Sequence, residues 1–274
     1  MKLGKLFNVL ALPIAVGSLG ILYFLEKRRP LRPESKENEA VHLSRNLAIS
    51  ALTVPALLLV EKPVTDYLTK RVETDKFGLL KLFKLPKSLE ITAGVLLLDY
   101  TLYLWHVLTH RIPFLWRFHI VHHADLDMDS STAARFHFGE IFISVIWRAM
   151  QISIIGVSPQ TLKIWQSLLL PSVFFHHSNL KLNKNFENIL SKVITTPRLH
   201  SIHHSIKQAE TNSNWSSGLT IWDRLHKTLK TDVTQAEIII GIEGLQDETN
   251  VTLRKMLKYP IEISSTANSN KELL

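Results

Sequence analysis

The sequence predicts an all-α integral membrane domain of four or five transmembrane helices, topped by a cytosolic helical cap. Two observations carry that class. Long apolar runs recur along the chain as far as Phe175, and Lys and Arg gather at their ends, as on the cytoplasmic face of a membrane protein. With 46% apolar and only 20% charged residues among 274, the chain is not disordered. Cysteine is absent, which excludes disulfides, thiolate zinc sites, Cys-ligated iron–sulfur clusters and Cys nucleophiles. The ten glycines form no G-x-G-x-x-G or G-x-x-x-x-G-K-[ST] string, so there is no nucleotide-binding signature. A net charge of +8 would suit nucleic acid, but the apolar runs assign it to membrane sidedness, and no nucleic-acid partner is expected.

Leu6 to Leu25 is an uncharged run of about 20 residues, enough to cross a hydrocarbon core of about 30 Å. Lys2 and Lys5 precede it and Lys27, Arg28, Arg29 and Arg32 follow it, so residues 1–40 read as a membrane anchor and basic linker. The second run is Leu47 to Val60, and the third is Ile91 to Leu108, interrupted by Asp99. The fourth, Ile141 to Val157, contains Arg148, expected to snorkel or pair. Ser158-Pro159 makes a turn, Leu162 to Phe175 is the fifth run, and the last two runs read as a helical hairpin. After Ser178 the chain turns polar with mixed charge, as for a soluble cap, and 263–274 read as a flexible tail. If the third run exits into the cytoplasm, 106–140 and 176–274 share that side with 27–45. Segment 61–88 would then lie outside despite its many lysines. Phe77 to Leu85 is expected to rest on the membrane as an amphipathic helix.

Eleven of the 13 histidines fall between 106 and 204. His106 and His110 form H-x-x-x-H. His119, His122 and His123 form H-x-x-H-H, and His200, His203 and His204 repeat that pattern. His137 and the pair His176-His177 lie between the boxes. On a helix the first residue of each box shares a face with those three and four positions on, so each box can present two or three imidazoles to one point. Three boxes at one membrane face can surround a common centre, and so many ligands suggest two metals, hence a histidine-rich dimetal site in the cap. Neutral imidazole suits Fe, Zn, Cu and Ni. His106 is followed by Val107, which excludes the H-E-x-x-H zinc protease pattern. A carboxylate-rich soluble di-iron bundle does not fit either. The isolated His42 and His226 read as surface or hydrogen-bonded core residues. Asp99 is an acid at membrane depth, which is costly and usually functional. It shares a helix face with Tyr103 and His106, and Asp99 or Tyr103 is placed to accept the outer N–H of a liganding histidine.

These boxes resemble those of the fatty acid hydroxylase / sterol desaturase superfamily of membrane di-iron oxygenases. The run from Asp99 to His106, followed by His110, is similar to the family's first box with its preceding acid. Pro113 to His123 is similar to the second box, and Thr196 to His204 to the third. Thr132-Ala133-Ala134-Arg135-Phe136-His137 with Glu140 resembles its T-A-x-R-x-H-P-x-E segment, and His177-Ser178-Asn179 its H-S-N. Asn214, Gly218 and Ile221-Trp222-Asp223-Arg224 resemble the trailing N-x-G and W-D-R element, and Gly241-Ile242-Glu243-Gly244 a stretch near the end of bacterial members. The resemblance covers roughly 45–262. The chain departs from the pattern at Phe138, where Pro is usual, and at His226-Lys227, where Phe-Gly is typical.

The resemblance implies a membrane catalytic domain over 41–262 whose cap holds two irons and uses O₂ to hydroxylate or desaturate a fatty acyl or sterol-like lipid from the bilayer. It implies His106, His110, His119, His122, His123, His200, His203 and His204 as ligands, completed by His177 (or His176) and His137. Asp99, Tyr103 and Asn179 are the candidate catalytic residues. Lacking its own redox signature, the chain is expected to draw electrons from a separate protein, a ferredoxin or a cytochrome b5 with its reductase. The expected location is a bacterial inner membrane or an endoplasmic reticulum membrane, with the boxes on the cytoplasmic side. Rival readings are the same site with another outcome (aldehyde deformylation or ether-lipid cleavage) and a non-enzymatic membrane zinc-binding or transport protein.

Overall fold

The structure is a computed structural model and describes residues 17–33 and 37–266. Among these the chain is helical, with isolated β-bridges and no extended strand. Most of the Leu6–Leu25 anchor therefore lies outside the described residues, but 17–28 are helical (α1). The order continues α2 (Glu39–Ala56), α3 (Lys62–Asp75), α4 (Lys87–Arg111), α5 (Pro113–His123), α6 (Phe138–Ile155), α7 (Pro159–His177), α8 (Lys184–Leu190), α9 (Pro197–His203), α10 (Gln208–Thr211), α11 (Ile221–Leu225) and α12 (Leu253–Thr266). Residues 267–274 of the expected tail lie outside the described part, while α12 runs on through Thr266.

Among the described residues three helical segments are long and apolar enough to cross a membrane: Glu39–Leu82, Lys87–Arg111 and Phe138–Ile155. The expected hairpin is present as α6 and α7. Its turn is built as the sequence suggested: Gly156 ends α6 with a left-handed φ of 81°, the Ser158 side chain caps α7, and Pro159 opens it. Gly156 packs directly on Gly78, so close that a side chain on Gly78 would collide with the Gly156 backbone. Around that turn the apolar core of Val72, Leu80, Leu98, Ile152, Ile155, Leu162 and Trp165 closes the far end of the bundle.

Segment 61–88 differs from the sequence reading. Pro55 removes a backbone donor within α2, and the helix widens into a π turn at Leu57–Glu61 before continuing as α3. No amphipathic helix forms over Phe77 to Leu85. The segment holds one 3₁₀ turn, Leu79–Leu82, whose Lys81 amine is buried between Glu73 and Glu90 at 3.1 and 2.8 Å. Arg148 pairs inside the bundle, over the Trp165 ring and 3.9 Å from Glu61.

α4 ends at Ile112 because Pro113 follows, and the same proline starts α5 at its first turn. The chain thus turns directly from one histidine box into the next. A second core, with Ile49, Ile120, Val121, Met256 and Tyr259, fixes α5 between α2 and α12.

Candidate metal centre

Nine histidines gather into two adjacent clusters. His106, His110, His119, His123 and His203 form one, and His122, His177, His200 and His204 the other; within each, one ring nitrogen per residue lies within 4.8 Å of all the others. Each H-x-x-H-H box is divided between them. On α5, His119 and His123 face the five-histidine cluster and His122 the other. At α9 the assignment is reversed, His200 and His204 going to the four-histidine cluster and His203 to the five. Two imidazoles of each H-x-x-H-H box thus meet at one point, and the third serves the neighbouring cluster. The positions three and four residues on from the first histidine differ from each other by about 100° in direction, which is enough to serve two neighbouring clusters.

The hydrogen bonds fix which nitrogen faces inward. His106 Nδ1 lies 2.7 Å from the Trp215 carbonyl, His203 Nδ1 2.8 Å from the Ser213 carbonyl and His177 Nδ1 2.8 Å from the Val173 carbonyl. A carbonyl only accepts, so each Nδ1 carries the hydrogen and each Nε2 keeps its lone pair. His119 donates in the same way to Glu140 at 2.9 Å. In the five-histidine cluster the Nε2 atoms of His106, His110, His119 and His203 are buried without a partner, as are both ring nitrogens of His123. In the other cluster the Nε2 atoms meet in a chain, His122 to His177 at 3.0 Å, His177 to His200 at 3.0 Å and His200 to His204 at 3.2 Å. Buried imidazole nitrogens that meet only an empty point or one another fit a metal ion bound by imidazole. Burial and the neighbouring rings push His122, His123, His200 and His204 well below the usual histidine range, and burial pushes His203 down to about 3. Neutral imidazole is the form that ligates.

Other candidate residues are placed differently. His137 belongs to neither cluster: it caps α6, accepting from the Gly139 N–H at 3.0 Å while its Nε2 faces the Leu257 carbonyl at 3.4 Å. His176 packs against His177 and His200, ring to ring, outside both clusters. Asp99 is hydrogen-bonded away from the clusters: it accepts from the Trp222 indole at 2.7 Å and the Leu219 N–H at 3.1 Å. Tyr103 meets Thr228 at 3.1 Å. Asn179 binds the 31–32 backbone: its side chain accepts from Arg32 N at 2.9 Å, its carbonyl from Leu31 N at 2.8 Å, and its own N–H donates to Glu26 at 2.8 Å. These three residues hold the cap and the N-terminal segment in place and do not line the clusters.

The group behind a cluster histidine is instead Glu140, three residues after His137 in the T-A-x-R-x-H segment. The isolated His42 also proves structural. It is buried, 3.0 Å from Asp125, in a network with Arg45, Asn46 and Arg135. Burial pushes the Asp125 carboxyl up, but Arg135, His42 and Arg45 outweigh it and hold it well below the usual range. Arg135, fully buried, donates from there to the Val121 and Ala124 carbonyls that end α5.

The fatty acid hydroxylase family model matches residues 91–228. The chain is 29% identical over 160 residues to the ornithine lipid hydroxylase OlsE of Rhizobium tropici, covering 58% of this chain and 47% of that protein. It is 26% identical over 145 residues to human cholesterol 25-hydroxylase, covering 50% of each, and 27% identical over 164 residues to human alkylglycerol monooxygenase, covering 59% of this chain and 35% of that protein. The matches thus span about half or less of these relatives' own length. No solved structure gives a significant match. With its ordered boxes inside a match that covers half of it, the chain belongs to the fatty acid hydroxylase family.

Proposed function

We propose that this protein is a membrane-bound di-iron oxygenase that inserts an oxygen atom into, or desaturates, a lipid. The observation that carries the reading is the pair of adjacent all-imidazole clusters, one with buried, unpartnered inward nitrogens and the other with Nε2 atoms that meet one another. One iron would be held by His106, His110, His119, His123 and His203, the other by His122, His177, His200 and His204. When bound, the irons supply O₂ activation and the oxidising power that an unactivated C–H bond requires.

The chain's own residues position and shield. Trp215, Ser213, Val173 and Glu140 hold four imidazoles in the tautomer that turns Nε2 inward. The cluster histidines except His110 are buried, which keeps bulk water from the reacting centre. The lipid would arrive from the bilayer, and the hydroxylase and monooxygenase names of the relatives favour oxygen insertion over desaturation. Two electrons per O₂ would come from a separate donor, a ferredoxin or cytochrome b5 type protein, because the chain has no cysteine to hold an iron–sulfur cluster. The boxes would face the cytoplasm of a bacterial inner membrane or of the endoplasmic reticulum.

Metal analysis of the purified protein tests the reading: two irons per chain are expected, with loss in His122→Ala and His203→Ala. One zinc per chain and no O₂ consumption would refute it. Comparative lipid mass spectrometry of cells with and without the gene names the reaction, as gain of one oxygen atom or loss of two hydrogens in one lipid class.

A further inference from the structure

We infer that part of the cap is itself embedded in the bilayer, reaching down α4 and exposing an apolar face to lipid acyl chains. The sequence after Ser178 reads as a soluble cap, but its segment 215–228 leaves the level of the histidines. Trp215 sits beside His106, whereas Leu219 and Trp222 bind Asp99, seven residues further down α4. Seven helical residues are about 10 Å. The segment then returns: His226 meets the Tyr100 hydroxyl at 3.1 Å and stacks on Tyr103, and Thr228 meets Tyr103. On its other side Ser172 of α7 donates to the Ser217 carbonyl at 2.9 Å, so the segment fills the cleft between two helices of the bundle.

Exposed apolar residues occur around that depth on α4 and α6. Leu96, one turn below Asp99 on α4, is exposed. The Trp147 indole donates to the Thr101 carbonyl at 3.2 Å, which sets α6 against α4 at this level. Phe142 and Ile146 of α6 lie on the histidine side of that contact and are also exposed. Exposed apolar residues therefore lie both above and below the point the cap reaches. An exposed apolar belt on a membrane-spanning bundle faces lipid.

The outer face of the cap segment continues that belt. Ile221 and Leu225 of α11 are exposed, Leu225 at 63%. The neighbouring strip adds Phe186, Ile189 at 67% and Val193. It is tied on by Thr220 N to Val193 O and by Thr195 N to Gly218 O, each 3.0 Å, and by Arg224 to the Ser191 carbonyl. Exposed Lys184, Lys192 and Lys227 lie among these residues, long enough to reach lipid phosphates. The contacts with Asp99 fix the depth, so the occupant of this face is the bilayer and not a soluble partner.

The absence of native cysteine allows a direct test. The full chain with one nitroxide-labelled cysteine, Leu225→Cys or Ile189→Cys, is reconstituted in phosphatidylethanolamine/phosphatidylglycerol vesicles. Collision rates of the label with O₂ and with a water-soluble nickel chelate are then compared with those of Ile146→Cys, a lipid-facing reference, and Glu237→Cys, on the exposed cap. An O₂-to-nickel ratio several-fold above that of Glu237→Cys and close to that of Ile146→Cys is expected at both positions. A ratio equal to that of Glu237→Cys overturns the inference. So does shielding from both reagents with dipolar broadening between labels, which would place a second copy on this face. The two positions lie on separate segments, so a folding defect in one variant leaves the other decisive.

Discussion

Glu140 accepts the outer N–H of His119 at 2.9 Å, and both side chains are buried. A carboxylate behind an imidazole fixes its tautomer and raises the basicity of the inner nitrogen. Glu140→Ala is expected to weaken metal retention by about 10–100-fold, and Glu140→Gln, which keeps an acceptor, by less. Metal remaining per chain after dialysis against graded chelator measures this, and equal retention in wild type and Glu140→Ala would refute the role.

The cap is fastened at Asp99. Asp99→Ala leaves the Leu219 N–H and the Trp222 indole without their acceptor and is expected to cost about 1–3 kcal/mol. Gly218→Ala should be at least as harmful, because a Cβ there would collide with the Asp99 carboxylate. Thermal unfolding in detergent, followed by far-UV circular dichroism, reads both. A Gly218→Ala protein as stable as wild type would show that the clamp yields.

Arg135 is wholly buried and braces the end of α5 through Val121 and Ala124 while facing Asp125 at 3.3 Å. Removing one member of a buried charge network is expected to cost about 3–5 kcal/mol. Arg135→Met should therefore lower the midpoint of denaturation and loosen His122 and His123 with it. A midpoint unchanged from wild type would count against the brace.

His203 carries a stated pH dependence. In the unfolded chain it takes up a proton near 6.5; in the fold, burial holds it neutral down to about 3. Stability is thus intact above about 6.5 and falls as pH drops toward 3, by about 1.4 kcal/mol per pH unit for this group alone. The metal-free protein should melt at lower temperature at about pH 5 than at about pH 7, and less so in His203→Gln. A flat profile would contradict it.

The boxes, the α6–α7 hairpin and the membrane class were legible because each rests on local spacing: imidazoles at helical intervals, a Ser-Pro turn, apolar length. What was not legible depends on partners far along the chain. Asp99 and Tyr103 do share the face of His106, but Trp222 and Thr228, more than 120 residues later, claim them first. His42 looked isolated because Asp125 lies 83 residues on. The choice between His176 and His177 was open because adjacent residues on a helix differ only by rotation, which the packing of α7 sets. The continuation of α2 into charged α3 follows from packing on α6 and a π turn, neither of which has a hydropathy signal.

The divided boxes have a mechanical consequence. One short helix, α5, holds members of both clusters, and the turn at α9 holds the complementary members. The spacing between the two clusters is thus set in part by the geometry of one short helix. A rotation or fraying of α5 would therefore displace members of both clusters together.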